Sequence, residues 1–355
     1  MIFYPSKVDI ETVNRFCNAR CPMCTIKFVP DFTKLEPDEE SHNGISRKAE
    51  VMSLKTFEKI ADKFKPIMHY ITALNLQGSG EPLLDKTIAK KVNYAKKIGF
   101  TNIGFSSNCD ILEPNRSIEL LESGLDCLIA SIDGLTKDVH EKCRPRTNFD
   151  KAVENVKFFI NYRNKKNYKC KVLPRMVRQQ TNIHQWNDYK AYWESLIDQS
   201  KGDKVLGMDV HNFGGKLEEF DNMKVTDFDE KNSETNKAYK SSVNQYKNFD
   251  LKKFTDKDGK ICIKVDESES LALCPDLFSR FIVFTSGDTG LCCADQAGYY
   301  KLGNVLNEEV IDIYNNKIFS DYRKAWLTGK VNELKYCNDC SIVNSYFHKS
   351  YKTEN

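Results

Sequence analysis

Three cysteines stand close together near the N-terminus, Cys17, Cys21 and Cys24, in the stretch FCNARCPMC. Their C-x3-C-x2-C spacing offers three thiolates from one loop. A structural zinc wants four ligands, and a disulfide wants two. Four cysteines fully ligate an iron–sulfur cube, so three leave one iron open. An open coordination position is where a substrate or cofactor binds. The competing readings are unrelated buried thiols, or a zinc site completed by a distant residue. Cys274, Cys292, Cys337 and Cys340 form a second grouping, closed by the CNDC motif. Zinc and iron–sulfur sites draw on the same thiolates.

Other residues have types suited to a charged ligand. In GSGEP (78–82), Gly78 and Gly80 let a backbone approach closely, and Glu81 can accept from an ammonium. Taken alone, that stretch reads as a turn. Arg144 and Arg175 can neutralise a carboxylate or make ordinary surface ion pairs.

The elements that must position these residues follow from periodicity. Strands are predicted over 8–13, 70–76, 102–106, 127–132, 171–177 and 205–211. Helices are predicted over 53–66, with Ser53 as N-cap, and over 85–98, 114–123, 149–163 and 183–197. Repeated strand–helix units imply a parallel sheet with helices outside. Six such units make an α/β fold, a partial (β/α)6 TIM-like barrel. The motifs CNARCPMC, GSGEP, SSNCD, SIDG and HNFGG all follow strands, on the rim where such barrels carry their chemistry. Residues 216–271 are polar and weakly periodic, and read as a linker or insertion. Beyond them, RFIVFTSGDTGLCCAD reads as two short strands around a glycine turn, and 310–327 as a helix. The expected division is 1–215 barrel, 216–271 linker or insertion, and 272–355 a small α+β domain.

Composition narrows the function classes. The 53 basic residues nearly balance 50 acidic ones, which gives no electrostatic reason to expect nucleic acid. No apolar run is long enough to span a membrane. The N-terminal MIFYPSKVDIE lacks the basic and apolar regions of a signal peptide. A cytoplasmic protein is expected. There, 13 cysteines point to metal binding or catalysis rather than disulfides.

The cysteine triad after the first strand of a partial barrel resembles the radical S-adenosylmethionine (SAM) enzymes. That resemblance implies SAM on the open iron. It also implies one-electron cleavage to methionine and a 5′-deoxyadenosyl radical, which abstracts hydrogen from a substrate. Met23 stands where the family usually has an aromatic residue, and its backbone is expected at the adenine. Gly78, Gly80 and Glu81 resemble the family's Gly-Gly-Glu motif. Asn108 in SSNCD and Ser131 in SIDG are expected at the SAM site, with Arg144 and Arg175 near its carboxylate. Cys274, Gly287, Cys292, Cys337 and Cys340 resemble the twitch form of the SPASM iron–sulfur domain. The implied cofactors are SAM and two [4Fe–4S] clusters, the second held by all four thiolates. Cys293 competes with Cys292, and the spacing from Gly287 favours Cys292. Of the remaining cysteines, Cys109 and Cys262 are candidate hydrogen donors to a substrate radical.

A fully ligated second cluster has no vacancy for substrate, so its expected task is moving an electron. Within the family the chain resembles the aminocyclitol dehydrogenases. The expected reaction is oxidation of a secondary alcohol to a ketone on a sugar, aminocyclitol or similar small molecule. A flavodoxin- or ferredoxin-type protein is the expected electron donor. The alternatives are an epimerase with a cysteine donor, a ribosomal-peptide maturase, and a non-catalytic electron carrier. The 16 residues before Cys17 leave no room for a peptide-recognition domain, which favours a small substrate. No base is singled out for the oxidation, and His211 is one candidate.

Overall fold

The structure, a computed structural model, describes residues 2–24, 47–215, 217, 219–225, 274–296, 298–300, 302–328, 330–335 and 337–341. Most of the expected insertion, Cys262 included, lies outside the described residues.

β1 (Lys7–Ile10) leads into a small antiparallel pair, β2 (Val13–Asn14) with β3 (Glu50–Val51). Helices and strands then alternate. They are α1 (Leu54–Asp62), β4 (Ala73–Asn75), α2 (Ile88–Ile98), β5 (Ile103–Ser107), α3 (Pro114–Glu122) and β6 (Cys127–Ser131). Next come α4 (Lys137–Cys143), α5 (Phe149–Lys165), β7 (Lys171–Arg178), α6 (Trp186–Glu194) and β8 (Leu206–Asp209). A short α7 (Phe220–Met223) follows. The C-terminal part supplies α8 (Pro275–Ser279), β9 (Arg280–Val283), β10 (Thr289–Gly290), α9 (Val310–Tyr314) and α10 (Lys317–Leu327).

One sheet of eight strands organises the molecule, in the order β10-β9-β1-β4-β5-β6-β7-β8. Every neighbouring pair is parallel except β9 with β10. The six strands β1 and β4 to β8 stand in chain order, each joined to the next by helical crossovers, as parallel pairing demands. β10 and β8 are the two edges, so the barrel is open.

Strand residues alternate between two environments, because successive side chains point to opposite faces. Val8, Leu74, Phe105, Leu128, Met176 and Phe281 belong to the buried apolar core beneath the helices. Residues of the opposite parity, among them Asp9, Ser106, Ser131, Arg175 and Arg280, line a cavity inside the curved sheet. A sheet buried on both faces would read as continuous apolar runs; here the inner face is polar.

Local chemistry explains where the elements begin and end. Ser53 caps α1 as expected, accepting from Thr56 N at 3.0 Å. α2 starts at Ile88 rather than 85, because the Asp85 carboxylate accepts from Thr87 N at 2.7 Å and pairs with Lys91 at 2.5 Å. The helix expected over 310–327 is two helices. Asn315 ends the first, and Asn316 caps the second, accepting from Phe319 N at 3.0 Å. α4 was not anticipated. Its seven residues are too few for periodicity to declare a helix.

β9 is the largest surprise. The strands around the glycine turn form as expected, with Gly287 at φ +86°. β9 then continues the barrel sheet, pairing with β1 in the register Lys7↔Arg280 to Ile10↔Val283. The C-terminal part is thereby joined to the barrel through its backbone.

Candidate active site and cluster centres

The loop after β1 carries Cys17, Cys21 and Cys24. A turn closes its C-terminal half, Cys24 N donating to Cys21 O at 3.0 Å. N–H groups face two of the sulfurs. Ala19 N lies 3.4 Å from Cys17 Sγ, and Arg144 Nη1 lies 3.7 Å from Cys21 Sγ. Burial pushes the Cys21 thiol up to about 12 and raises Cys17 further, with the Glu81 charge adding to the latter. A buried thiol without a cation stays protonated; a bound metal reverses this.

GSGEP packs directly on that loop. Glu81 N donates to Phe16 O at 2.9 Å. The buried Glu81 carboxylate accepts from Ser107 Oγ at 2.7 Å, Asn108 N at 3.0 Å and Leu83 N at 3.1 Å. Burial raises its pKa against those hydrogen bonds. The glycines are dictated by crowding. A Cβ on Gly80 would lie 2.4 Å from Val13 O, and one on Gly78 2.4 Å from Glu11 Cγ. Asn108 reaches across to the cysteine loop, Nδ2 donating to Asn18 Oδ1 at 2.8 Å.

The two arginines differ. Arg144 Nε pairs with Asp133 at 2.7 Å. Arg175 Nη2 donates to Ser131 Oγ at 2.7 Å. Its Nε is shut off from water without a hydrogen-bond partner. Among the described residues no carboxylate lies within ion-pair distance of Arg175. Burial, and then Arg144, lower its pKa to about 10. A buried, underpartnered guanidinium calls for an anionic ligand.

All eight residues expected around SAM line the same cavity as the cysteine triad: Met23, Gly78, Gly80, Glu81, Asn108, Ser131, Arg144 and Arg175. The cavity measures about 360 Å³. Its far wall comes from the C-terminal part, with Arg280, Phe284, Cys292, Cys293 and Gln296. Asp9 and Glu11 complete it. The arrangement suits a small anionic cofactor held beside a second, polar ligand.

Cys274, Cys292, Cys337 and Cys340 gather behind that wall. Burial raises the thiols of Cys274, Cys292 and Cys337, the last to about 12, and each is raised further by another cysteine of the set. Trp326 Nε1 donates to Cys337 Sγ at 3.4 Å, and His211 Nε2 lies 3.6 Å from Cys340 Sγ. Among the described residues no three His, Cys, Asp or Glu side chains converge as around one ion. A four-iron cube takes its thiolates at separate corners instead. Clustered thiols facing N–H donors fit such a group.

Three sequence expectations change. Cys109 does not reach the cavity. It is fully buried in the core, and its thiol donates to Ser107 O at 3.5 Å. Its φ of +62° explains why glycine would suit the position. Cys293, set aside as a competitor of Cys292, lines the cavity instead. His211, the candidate base, is likewise absent from the wall; burial lowers its pKa to about 4.

Asp9, Glu11, Arg280 and Gln296 went unrecognised. Arg47 grips Glu11 at 2.5 and 3.0 Å and donates to Gln296 O, tying the barrel to the far wall. Arg280 pairs with Asp9 at 3.2 Å and with Asp276 at 3.1 Å. For Asp9 and Glu11 the available signal was charge at alternate positions of KVDIE.

Residues 12–180 match the radical SAM superfamily, and residues 274–341 match SPASM, an iron–sulfur cluster-binding domain. No curated protein matches the sequence. Solved structures similar in fold include the following three. BtrN in complex with AdoMet and 2-DOIA is 15% identical, with 96% of this chain and 94% of that one covered and a TM-score of 0.55. SuiB of Streptococcus suis bound to precursor peptide SuiA is 13% identical, with coverages of 96% and 70% and a TM-score of 0.59. AnSMEcpe with bound AdoMet is 14% identical, with coverages of 89% and 82% and a TM-score of 0.53.

Proposed function

From a chain that carries a radical SAM domain followed by an SPASM iron–sulfur domain, we propose an oxidoreductase that removes two hydrogens from a small polar substrate, converting a secondary alcohol to a ketone. The observation that carries this reading is a single cavity walled on one side by Cys17, Cys21 and Cys24 and on the other by Cys292. When bound, SAM and its cluster supply abstraction of one substrate hydrogen atom, and a second cluster supplies a one-electron acceptor.

In this reading Cys17, Cys21 and Cys24 hold the first cluster, and Cys274, Cys292, Cys337 and Cys340 hold the second. Arg175 and Ser131 receive the SAM carboxylate, and Glu81 accepts from its ammonium. Gly78 and Gly80 keep the wall thin. Met23 and Asn108 flank the adenosine. Arg144, neutralised by Asp133, braces Cys21. Oxidation of a CH–OH group also releases a proton and an electron. Asp9 is the group suited to take the proton. It faces the cavity, burial raises its pKa, and among the described residues Asn75 at 2.6 Å and Arg280 hold it. Glu11 is unsuited, since Arg47, Ser79 N and Thr285 N already engage its oxygens.

The test is anaerobic reconstitution. The protein should bind about eight irons as two cubes, and the Cys17→Ala/Cys21→Ala/Cys24→Ala variant about half as many. With SAM and dithionite it should release 5′-deoxyadenosine; none with any polyol offered would sink the enzyme reading. A product in which one carbon-bound hydrogen is replaced by deuterium from D₂O, with no net loss of hydrogen, would favour epimerisation. Cys293 on the cavity wall is the observation supporting that second reading.

A further inference from the structure

We propose that His211 and Trp326 raise the reduction potential of the second cluster by donating hydrogen bonds to two of its thiolate ligands. The proposal rests on the reading of Cys274, Cys292, Cys337 and Cys340 as ligands of one cube.

The tautomer of His211 follows from its partners. Phe213 N donates to His211 Nδ1 at 3.1 Å. A neutral imidazole carries one N–H, so the proton is assigned to Nε2, the atom 3.6 Å from Cys340 Sγ. The Phe213 ring stands edge-on to the imidazole at 4.7 Å and holds its plane. The neighbouring residue clamps the whole arrangement. Asn212 Nδ2 donates to Asp339 O at 2.6 Å, and Ser341 N donates to Asn212 Oδ1 at 2.7 Å. These bonds fix the CNDC turn against the end of β8, so the Nε2–H is aimed rather than adjacent by chance.

Trp326 acts on the other thiol of the CNDC turn. It is fully buried on α10, and an indole has one donor and no acceptor. That donor lies 3.4 Å from Cys337 Sγ. The first and last thiols of CNDC therefore each face an N–H. Neither His211 nor Trp326 lines the cavity, so neither is available to touch the substrate.

The physical consequence has a definite sign. One-electron reduction adds negative charge to the cluster and its sulfurs. An N–H dipole pointing at a sulfur stabilises that charge more in the reduced than in the oxidised form. Hydrogen bonds to the sulfurs and burial are the levers a protein has on such potentials. A raised potential makes the cluster a better acceptor for an electron leaving the substrate.

The experiment is a potentiometric titration followed by EPR. It uses the full chain carrying Cys17→Ala, Cys21→Ala and Cys24→Ala, so that only the second cluster reports. His211→Phe and Trp326→Phe should each shift the midpoint to more negative potential, and the pair more than either. His211→Gln keeps an N–H donor and should remain nearer the parent. Unshifted midpoints in both phenylalanine variants, with iron content unchanged, overturn the proposal. Should His211→Phe lose the cluster, an unshifted Trp326→Phe overturns it alone. A parent that binds no second cluster would instead defeat the cluster reading, and this proposal with it.

Discussion

Arg175 is the residue on which the proposed SAM recognition most depends, because its Nε is buried without a hydrogen-bond partner. A hydrogen bond to a charged group contributes about 1.5–3 kcal/mol, so Arg175→Gln should weaken SAM binding roughly 10- to 150-fold by that range. Equilibrium dialysis checks this, and unchanged affinity would assign the carboxylate elsewhere. Cys109→Ala tests the opposite expectation. With its thiol turned to Ser107 O, the variant should keep its iron and its yield of 5′-deoxyadenosine. His140 governs a pH response. Asp133 N donates to its Nδ1 at 3.1 Å, and burial, then Arg144, depress its pKa to about 4. The native state therefore binds fewer protons than the unfolded chain between these pH values. The stability contributed is complete above about pH 6.5 and is lost as pH falls toward 4, by up to about 3 kcal/mol. Urea midpoints measured across that window should fall in the parent and flatten in His140→Asn.

At the scale of elements, buried ion pairs set the layout as firmly as apolar contacts do. Arg163 on α5 and Asp203 before β8 are both fully shielded and meet at 2.6 and 2.7 Å. Asp203 also accepts from Val172 N on β7 at 2.8 Å, so one carboxylate joins a helix, a strand and a loop. Asp203→Ala would strand a buried guanidinium, and should cost about 3–5 kcal/mol in denaturant unfolding. A loss below 1 kcal/mol would mean that water reaches Arg163. The strands themselves were legible in sequence because their apolar residues recur at alternate positions. Their exact ends were not. Caps such as Asn316 and the Asp85–Thr87 turn decide ends through single hydrogen bonds that periodicity does not register.

At the scale of the molecule, β9 makes the SPASM domain part of the barrel's own sheet. β1 would otherwise be an exposed edge, and unpaired edges template association. A chain ending before Cys274 should therefore self-associate at concentrations where the full chain stays monodisperse, as size-exclusion chromatography would show. A monodisperse truncated barrel would mean the edge is covered another way. The same pairing carries Arg280 to Asp9 and brings Cys292 to the cavity that the cysteine loop opens onto. Among the described residues no helix is long and apolar enough to cross a membrane.

Ligand spacing, strand–helix alternation and the Ser53 cap are local properties, written within a few residues of chain, and the sequence by itself determined them. So too the motifs GSGEP, SSNCD and SIDG, whose residues line the cavity beside the cysteine triad. Only the tertiary structure decided what faces what. Burial of Cys109, the turn of His211 toward Cys340, and the polar wall of Asp9, Glu11 and Arg280 depend on contacts between segments far apart in sequence. Such contacts follow from which strands pair and in which register. A one-residue change of register would turn Asp9 from the cavity into the apolar core, and nothing in the residues around Asp9 records that it pairs beside Arg280.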